Sequence, residues 1–210
     1  MISDDISGGT ECFPIPAVNN YDDKPLPEFT YITSSIYEAE SDRMYQKTEA
    51  GHKTIVHHLL FDDEGRFNEK ALRTQLKIQV YCKAEQFWGV RTLQTIPRGH
   101  IIGDYVGEVT RNRVDDTVDS YIFGISEGED EWFVNAYRKG NFTRFINHSC
   151  NWNTDSLLFS VDGRIRVILY TNRDIRMNEE ITIDYGQEWW QHNYALKCLC
   201  KQSNCDYNKR

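Results

Sequence analysis

Arg144-Phe145-Ile146-Asn147-His148-Ser149-Cys150 and Glu180-Ile181-Thr182-Ile183-Asp184-Tyr185-Gly186 are the two stretches on which the reading of this chain turns. In each, a short apolar run delivers polar side chains of catalytic type: Asn147 and His148 in the first, Asp184 and Tyr185 in the second. Behind them comes Cys198-Leu199-Cys200-Lys201-Gln202-Ser203-Asn204-Cys205, three thiols in a C-x-C-x4-C spacing. Thiols clustered this tightly in a chain without a secretory start are metal ligands more often than disulfide partners, and zinc is the leading metal.

Working outward, the sequence is strand-rich. Ile78, Val80 and Cys82 alternate with polar neighbours, the period of a half-buried strand. Residues 101–109 are rich in β-formers, and 121–125 with 132–134 read as a hairpin about Gly128. Residues 157–161 and 165–170 form a second hairpin turning at Asp162-Gly163, and 181–183 close the series. Many short strands with few long helices predict a β-rich domain, mostly β within the α+β class.

The first part of the chain is less patterned. Pro14, Pro16, Pro25 and Pro27 punctuate an extended segment. Two short helices are expected, over 34–46, with Ile36, Tyr37, Met44 and Tyr45 as its apolar side, and over 66–76. The expected division is an N-terminal region 1–76, a catalytic domain 77–186, and a polar tail 187–210 with little core of its own. No G-x-G-x-x-G follows a strand, which disfavours a dinucleotide-type scaffold for any nucleoside cofactor.

Composition bounds the partners. A chain of 210 residues with 40% hydrophobic and 27% charged residues buries an ordinary globular core rather than remaining disordered. No run of about 18 apolar residues is present, so no membrane span is expected. Met1 to Thr10 has neither a basic nor an apolar region of the kind found in signal peptides, which points to an intracellular protein. A net charge of −8 disfavours phosphate-driven nucleic-acid binding; it suits a basic peptide partner or serves solubility alone. Glu127, Glu129, Asp130 and Glu131 cluster beside the strand expected to face substrate.

The two opening stretches and the cysteine tail together resemble the catalytic core and tail of SET-domain protein lysine methyltransferases. Residues 83–107, KAEQFWGVRTLQTIPRGHIIGDYVG, are similar to the opening SET strands of the euchromatic and Su(var)-type histone H3 lysine-9 enzymes. Asp119-Ser120-Tyr121-Ile122-Phe123 is similar to their D-S-Y-L-F strand, and Gly9-Thr10-Glu11 through Pro14-Ile15-Pro16 to Asn19 to the motif before their SET domain. The resemblance implies a SET fold of several short sheets, with knot-like C-terminal threading and a zinc-bound post-SET tail. It implies methyl transfer from S-adenosylmethionine to a histone lysine, H3 lysine-9 first among them. The implied partners are the basic H3 N-terminal tail and chromatin, in the nucleus, without sequence-specific nucleic-acid contacts.

By the same resemblance, Tyr185 is the catalytic tyrosine at the end of a lysine channel that Tyr121 lines. Arg144, Asn147 and His148 contact the methyl donor, together with Tyr121 and the loop Gln86, Phe87 and Trp88. Cys150 joins Cys198, Cys200 and Cys205 as the fourth ligand of one structural zinc. Any single tyrosine also has a plain use in core packing, and Tyr105 either reaches the channel or packs in the core. For His148 a general-base role is the alternative to cofactor placement. Cys12 and Cys82 read as ordinary thiols.

Three departures from the family pattern matter. Cys12 is the one cysteine before Cys82, so the family's pre-SET zinc cluster cannot form. The family's G-W-G turn is Phe87-Trp88-Gly89, placing a bulky side chain where backbone nears the donor. Ile183 stands where the family usually has Phe or Tyr, which leaves the mono-, di- or trimethyl product open. The first two departures motivate a second reading, a catalytically weak SET protein serving as a chromatin-binding scaffold.

Overall fold

The computed structural model describes residues 1–37, 56–72, 75–84, 87–111, 121–127, 130–193 and 196–207, without the side chains of 57, 127 and 130. Three two-residue strands come first: β1 (Ala17–Val18), β2 (Thr30–Tyr31) and β3 (Ile36–Tyr37). A single helical turn, α1 (His57–Leu60), precedes β4 (Ile78–Ala84), β5 (Phe87–Thr92), β6 (Ile101–Asp104) and β7 (Glu108–Thr110). The hairpin strands β8 (Ile122–Glu127) and β9 (Asp130–Asn135) follow, then β10 (Lys139–Gly140) and β11 (Asn147–His148). The chain ends with β12 (Thr154–Val161), β13 (Arg164–Thr171), β14 (Glu180–Ile183) and helix α2 (Gly186–His192).

The described strands form four small sheets. The order β1-β4-β5-β14-β11 makes the largest, with β14 inserted between β5 and the earlier β11. This interleaving of a late strand between earlier ones is the knot-like feature, and it carries the C-terminus past residues 147–150. Sheets β3-β7-β9-β8 and β12-β13-β6 flank it, and β2 pairs with β10. In β4, Ile78, Val80 and Cys82 are buried and alternate with half-buried Gln79 and Tyr81, as their spacing predicts. At the β12–β13 turn, Asp162 and Gly163 take φ of 51° and 77°, the two left-handed positions of a tight hairpin turn. The main core runs from Ile15 and Ala17 through Val80, Val90, Ile102, Val134 and Phe142 to Ile181 and Ile183.

Both helices expected in the N-terminal region are corrected. Ile36 and Tyr37 are extended, not helical: Ile36 N–H donates to Gly107 O at 2.9 Å as β3 pairs in parallel with β7. A free strand edge satisfies these β-branched and aromatic residues better than a helix with a weak apolar face. Residues 38–46 of that expectation lie outside the described residues. Among the described residues between 66 and 76, the helical part is a 3-10 turn over Glu69–Leu72; Phe67 instead bridges back to Phe61, and both rings pack on Phe159.

No dense cysteine cluster ties down the N-terminal region; strand addition does. β1, β2 and β3 each pair in parallel with a strand from later in the chain. The Asp5 carboxylate accepts from the backbone N–H groups of Ser7, Gly9 and Ile15, fixing the first turn. Among the described residues, no helix is long and apolar enough to cross a membrane.

Candidate active site

The 3-10 turn Phe142–Phe145 aims the first opening stretch. Asn141 caps it by accepting from Thr143 N–H, while its Nδ2 donates to Asp104 O at 2.9 Å. The chain then extends into β11, whose parallel pairing with β14 sets Asn147 beside Thr182 and His148 beside Ile183. The two segments far apart in sequence thereby meet along a single ladder.

Tyr185 follows directly. Its hydroxyl donates to Ile146 O at 3.1 Å, and its backbone N–H donates to His148 Nδ1 at 3.1 Å. Burial, with Tyr121 and Glu180 nearby, holds the phenol well above its ordinary value, so it stays protonated at neutral pH. Accepting at Nδ1 places the imidazole proton of His148 on Nε2, which faces Cys150 Sγ at 3.4 Å. Burial lowers the His148 pKa against the opposing pull of Asp184. With both nitrogens engaged, the ring ties Tyr185 and Cys150 to β11.

Two cavities meet at Tyr185. The first, about 200 Å³, is walled by Tyr105, Phe133, Ile146 and Ile183, all nearly buried, with Glu131, Asp184 and Glu188 at its rim. The second, about 730 Å³, is lined by Trp88, Tyr121, Asn147, His148 and Glu180 and closed by residues 196–202 of the tail. Arg144, Tyr185 and Trp189 line both. Tyr105 therefore does reach the first cavity; its hydroxyl donates to Tyr121 O at 2.9 Å. Tyr121 itself lines the second cavity, with Arg144 stacked 3.8 Å from its ring centre.

Asn147 is held by two bonds from Nδ2, to Trp88 O at 2.8 Å and to Glu180 Oε1 at 2.9 Å. Glu180 also pairs with Lys83 Nζ. Gly89 leaves room for this pair, because a Cβ would lie 2.8 Å from Glu180 Oε1 and 3.0 Å from Asn147 Nδ2 and displace them. Glu180 sits inside a quoted stretch yet drew no functional expectation. Its signal is a carboxylate at the head of a short strand of β-branched residues. Phe87, by contrast, stands at the lip of the second cavity, 37% exposed and under Lys83 Nζ, rather than filling the interior. Gln86 lies outside the described residues, as do Gly128 and Glu129.

The four expected cysteines converge, their sulfurs all within 4.8 Å of one another, with Cys150 3.7 Å from Cys205 and 3.9 Å from Cys198. A tetrahedron of ~2.3 Å zinc–sulfur bonds spaces its sulfurs roughly 3.8 Å apart, so the set fits zinc with no open position. Burial pushes the Cys150 thiol up to about 11, so gathering four thiolates here calls for a cation. The tail nevertheless has more core than its polarity suggests, which corrects that expectation. Helix α2 buries Trp190 against the cysteines, and Tyr207 stacks on the Trp190 ring at 4.7 Å. The adjacent Trp189-Trp190 pair was the signal for it.

The comparisons with known proteins agree with this geometry. The SET-domain family model matches residues 87–186. This is a SET-domain protein. A histone-lysine N-methyltransferase of Mycosarcoma maydis, H3 lysine-4 specific, is 32% identical over 67% of this chain and 10% of its own length. The Arabidopsis thaliana H3 lysine-9 specific enzyme SUVH5 is 27% identical over 96% of this chain and 31% of its own. KRYPTONITE, solved with mCHH DNA, an H3(1-15) peptide and SAH, superposes with a TM-score of 0.70 at 27% identity, over 97% of this chain and 53% of that one. The chain thus spans between a tenth and a third of these curated relatives. The Su(var)-type resemblance extends over nearly all of this SET-domain chain.

Proposed function

We propose that the chain transfers a methyl group from S-adenosylmethionine to a lysine of the histone H3 tail, with lysine-9 as its target. The observation that carries this reading is the pair of cavities joined at Tyr185: a narrow apolar one and a wider polar one. S-adenosylmethionine supplies an electrophilic methyl on a sulfonium, and KRYPTONITE was solved with SAH and the H3 peptide together. The larger cavity is the donor site, with Arg144, Asn147, His148, Trp88 and Phe87 around it; the smaller is the lysine channel.

Displacement at the methyl requires a neutral, aligned amine. Free lysine titrates near ~10.4, and the buried walls Tyr105, Phe133, Ile146 and Ile183 disfavour its ammonium form by desolvation. Because the Tyr185 proton is committed to Ile146 O, the phenol oxygen presents lone pairs to the incoming amine N–H. Tyr185 therefore orients the amine, while Tyr121, expected to line the channel, lies on the donor side of the junction, and positioning carries the rate. The ammonium gives its proton to bulk water as the substrate enters; the amine then forms the new C–N bond as the sulfonium C–S bond breaks, leaving neutral SAH and a methylated ammonium.

Residues 1–76 act as a pre-SET-like region, 77–186 as the catalytic domain and 187–210 as the post-SET tail, with chromatin in the nucleus as the setting. The exposed rim carboxylates suit a basic tail. Lysine-4 and lysine-9 enzymes both appear among the relatives; the lysine-9 choice rests on the longer match to SUVH5. Of the two departures behind the scaffold reading, Phe87 weighs less because it stands at the cavity lip, while the missing pre-SET cysteines remain. The test is methylation of H3(1–15) peptides, intact and with Arg in place of lysine-4 or lysine-9, read by mass spectrometry. Loss of product on the lysine-9 peptide alone is expected; loss on the lysine-4 peptide alone reassigns the site.

A further inference from the structure

Arg144 lies at the junction of both cavities, 3% exposed, with its guanidinium between aromatic rings. Its centre is 3.8 Å from the Tyr121 ring, 4.7 Å from Phe145 and 4.5 Å from Phe29. Nε donates to Ala136 O at 2.7 Å and Nη2 to Tyr137 O at 2.9 Å, whereas Nη1 has no hydrogen-bond partner among the described residues. Two carbonyls fix one edge of the fork, and ring faces pack against its plane. Phe29 is the member of this cage that belongs to the N-terminal region.

The placement of Phe29 is built into the sheet. Thr30 N–H donates to Arg138 O at 2.8 Å, and Ile32 N–H to Gly140 O at 2.9 Å. Strand β2 thus docks on the residues immediately after the two carbonyls that hold Arg144. The approach is tight: a Cβ on Gly140 would lie 3.0 Å from Ala136 Cβ and 3.4 Å from Arg144 Cδ. Phe29 also meets Phe145 edge-on at 5.6 Å, so its ring is wedged rather than loosely laid on the surface.

We propose that Phe29 is a positioning residue for methyl transfer, clamping Arg144 against Tyr121 from the N-terminal region and so setting the junction of the two cavities. This rests on the methyltransferase reading. A guanidinium free to rotate away from Tyr121 misaligns both sites at once, and misplacements of about 1 Å cost on the order of 100-fold in rate.

The test compares F29A, F29L and F29Y with F13A in the whole chain. Phe13 is also half-buried and N-terminal and packs at 6.4 Å on Phe142, in the turn that carries Arg144 but not over the guanidinium, making it a control for packing on the turn without loss of the cage. Turnover on the H3 peptide, SAH affinity by calorimetry and thermal melting are measured for each. F29A and F29L should lose about tenfold or more in kcat and weaken SAH binding, with peptide KM unchanged, and F29Y should restore both. F29L keeps volume without a ring face, so it decides the matter even where F29A fails to fold. Wild-type behaviour in F29L, or an equal loss in F13A, overturns the clamp. Wild-type protein that neither binds SAH nor methylates overturns the functional reading and the clamp with it.

Discussion

Tyr185 spends its proton on the Ile146 carbonyl, so a phenylalanine in its place removes an oxygen and almost no volume. Tyr185→Phe should keep the fold and the SAH affinity while turnover falls by about 10² to 10³, the usual cost of losing one positioned polar group in a site. Near-normal turnover would strip Tyr185 of its role. Ile183 makes the opposite kind of prediction, about room. It is 6% exposed, lines the narrow cavity proposed as the lysine channel and carries no hydroxyl to hold a water beside an amine there. The unmodified enzyme should therefore reach at least the dimethyl state at long reaction times, and Ile183→Tyr should shift products toward monomethyl in mass spectra. A wild-type product that stops at monomethyl assigns the restriction to another wall, such as Tyr105 or Phe133. At this scale the sequence was legible where chemistry is unusual for its setting: Asn147, His148, Tyr185 and the cysteines all converge. It was illegible where a residue works through others. Phe29 and Glu180 have ordinary side chains, and their value comes from contacts between segments far apart along the chain.

Among the elements, the tail shows how metal and packing divide the labour. Helix α2 is seven residues long, too short to persist alone, and it is held by Trp190 against the cysteines and by Tyr207 stacked on Trp190. Metal analysis should give about one zinc per chain, the content of a single closed four-thiolate site. Chelation should free residues 196–207 and shift the emission of Trp190 toward that of solvent-exposed indole, because metal binding and tail folding are one equilibrium. Cys200→Ser should do the same and abolish methylation while the strand signal in circular dichroism persists, since the β core has its own buried residues. Collapse of that signal would mean the metal holds the whole domain. The hairpins were legible because a turn such as Asp162-Gly163 is specified locally. The short strands β1 to β3 were not, because two residues carry no period and their pairing is decided by partners 63 to 109 positions away.

For the molecule as a whole, the informative group is Asp104, which ties β6, its neighbour β13 and the 3-10 turn together. Its backbone O accepts from Asn141 Nδ2, linking β6 to the turn that aims the catalytic stretch. Its carboxylate accepts from Arg166 Nε at 2.6 Å and from Val167 N–H at 3.2 Å on β13. Burial nonetheless pushes it from 3.8 up to about 6, outweighing the Arg166 attraction. The folded chain then holds a proton between roughly pH 4 and 6 that the unfolded chain has released, so this group's contribution declines as pH rises through that window. Over two pH units the decline amounts to about 2–3 kcal/mol. His100, lowered by burial, works in the other direction, losing stability as pH falls below its ordinary value of 6.5. Absolute stability therefore mixes the two, whereas comparison with Asp104→Asn isolates the carboxylate, because His100 is common to both proteins. Urea melts from pH 4 to 7.5 should show wild type losing ground to the Asn variant as pH rises, with the gap constant above pH ~6.5. A gap that moves the other way would show that Arg166 more than repays the desolvation of Asp104, leaving the charged pair a net tie between β6 and β13.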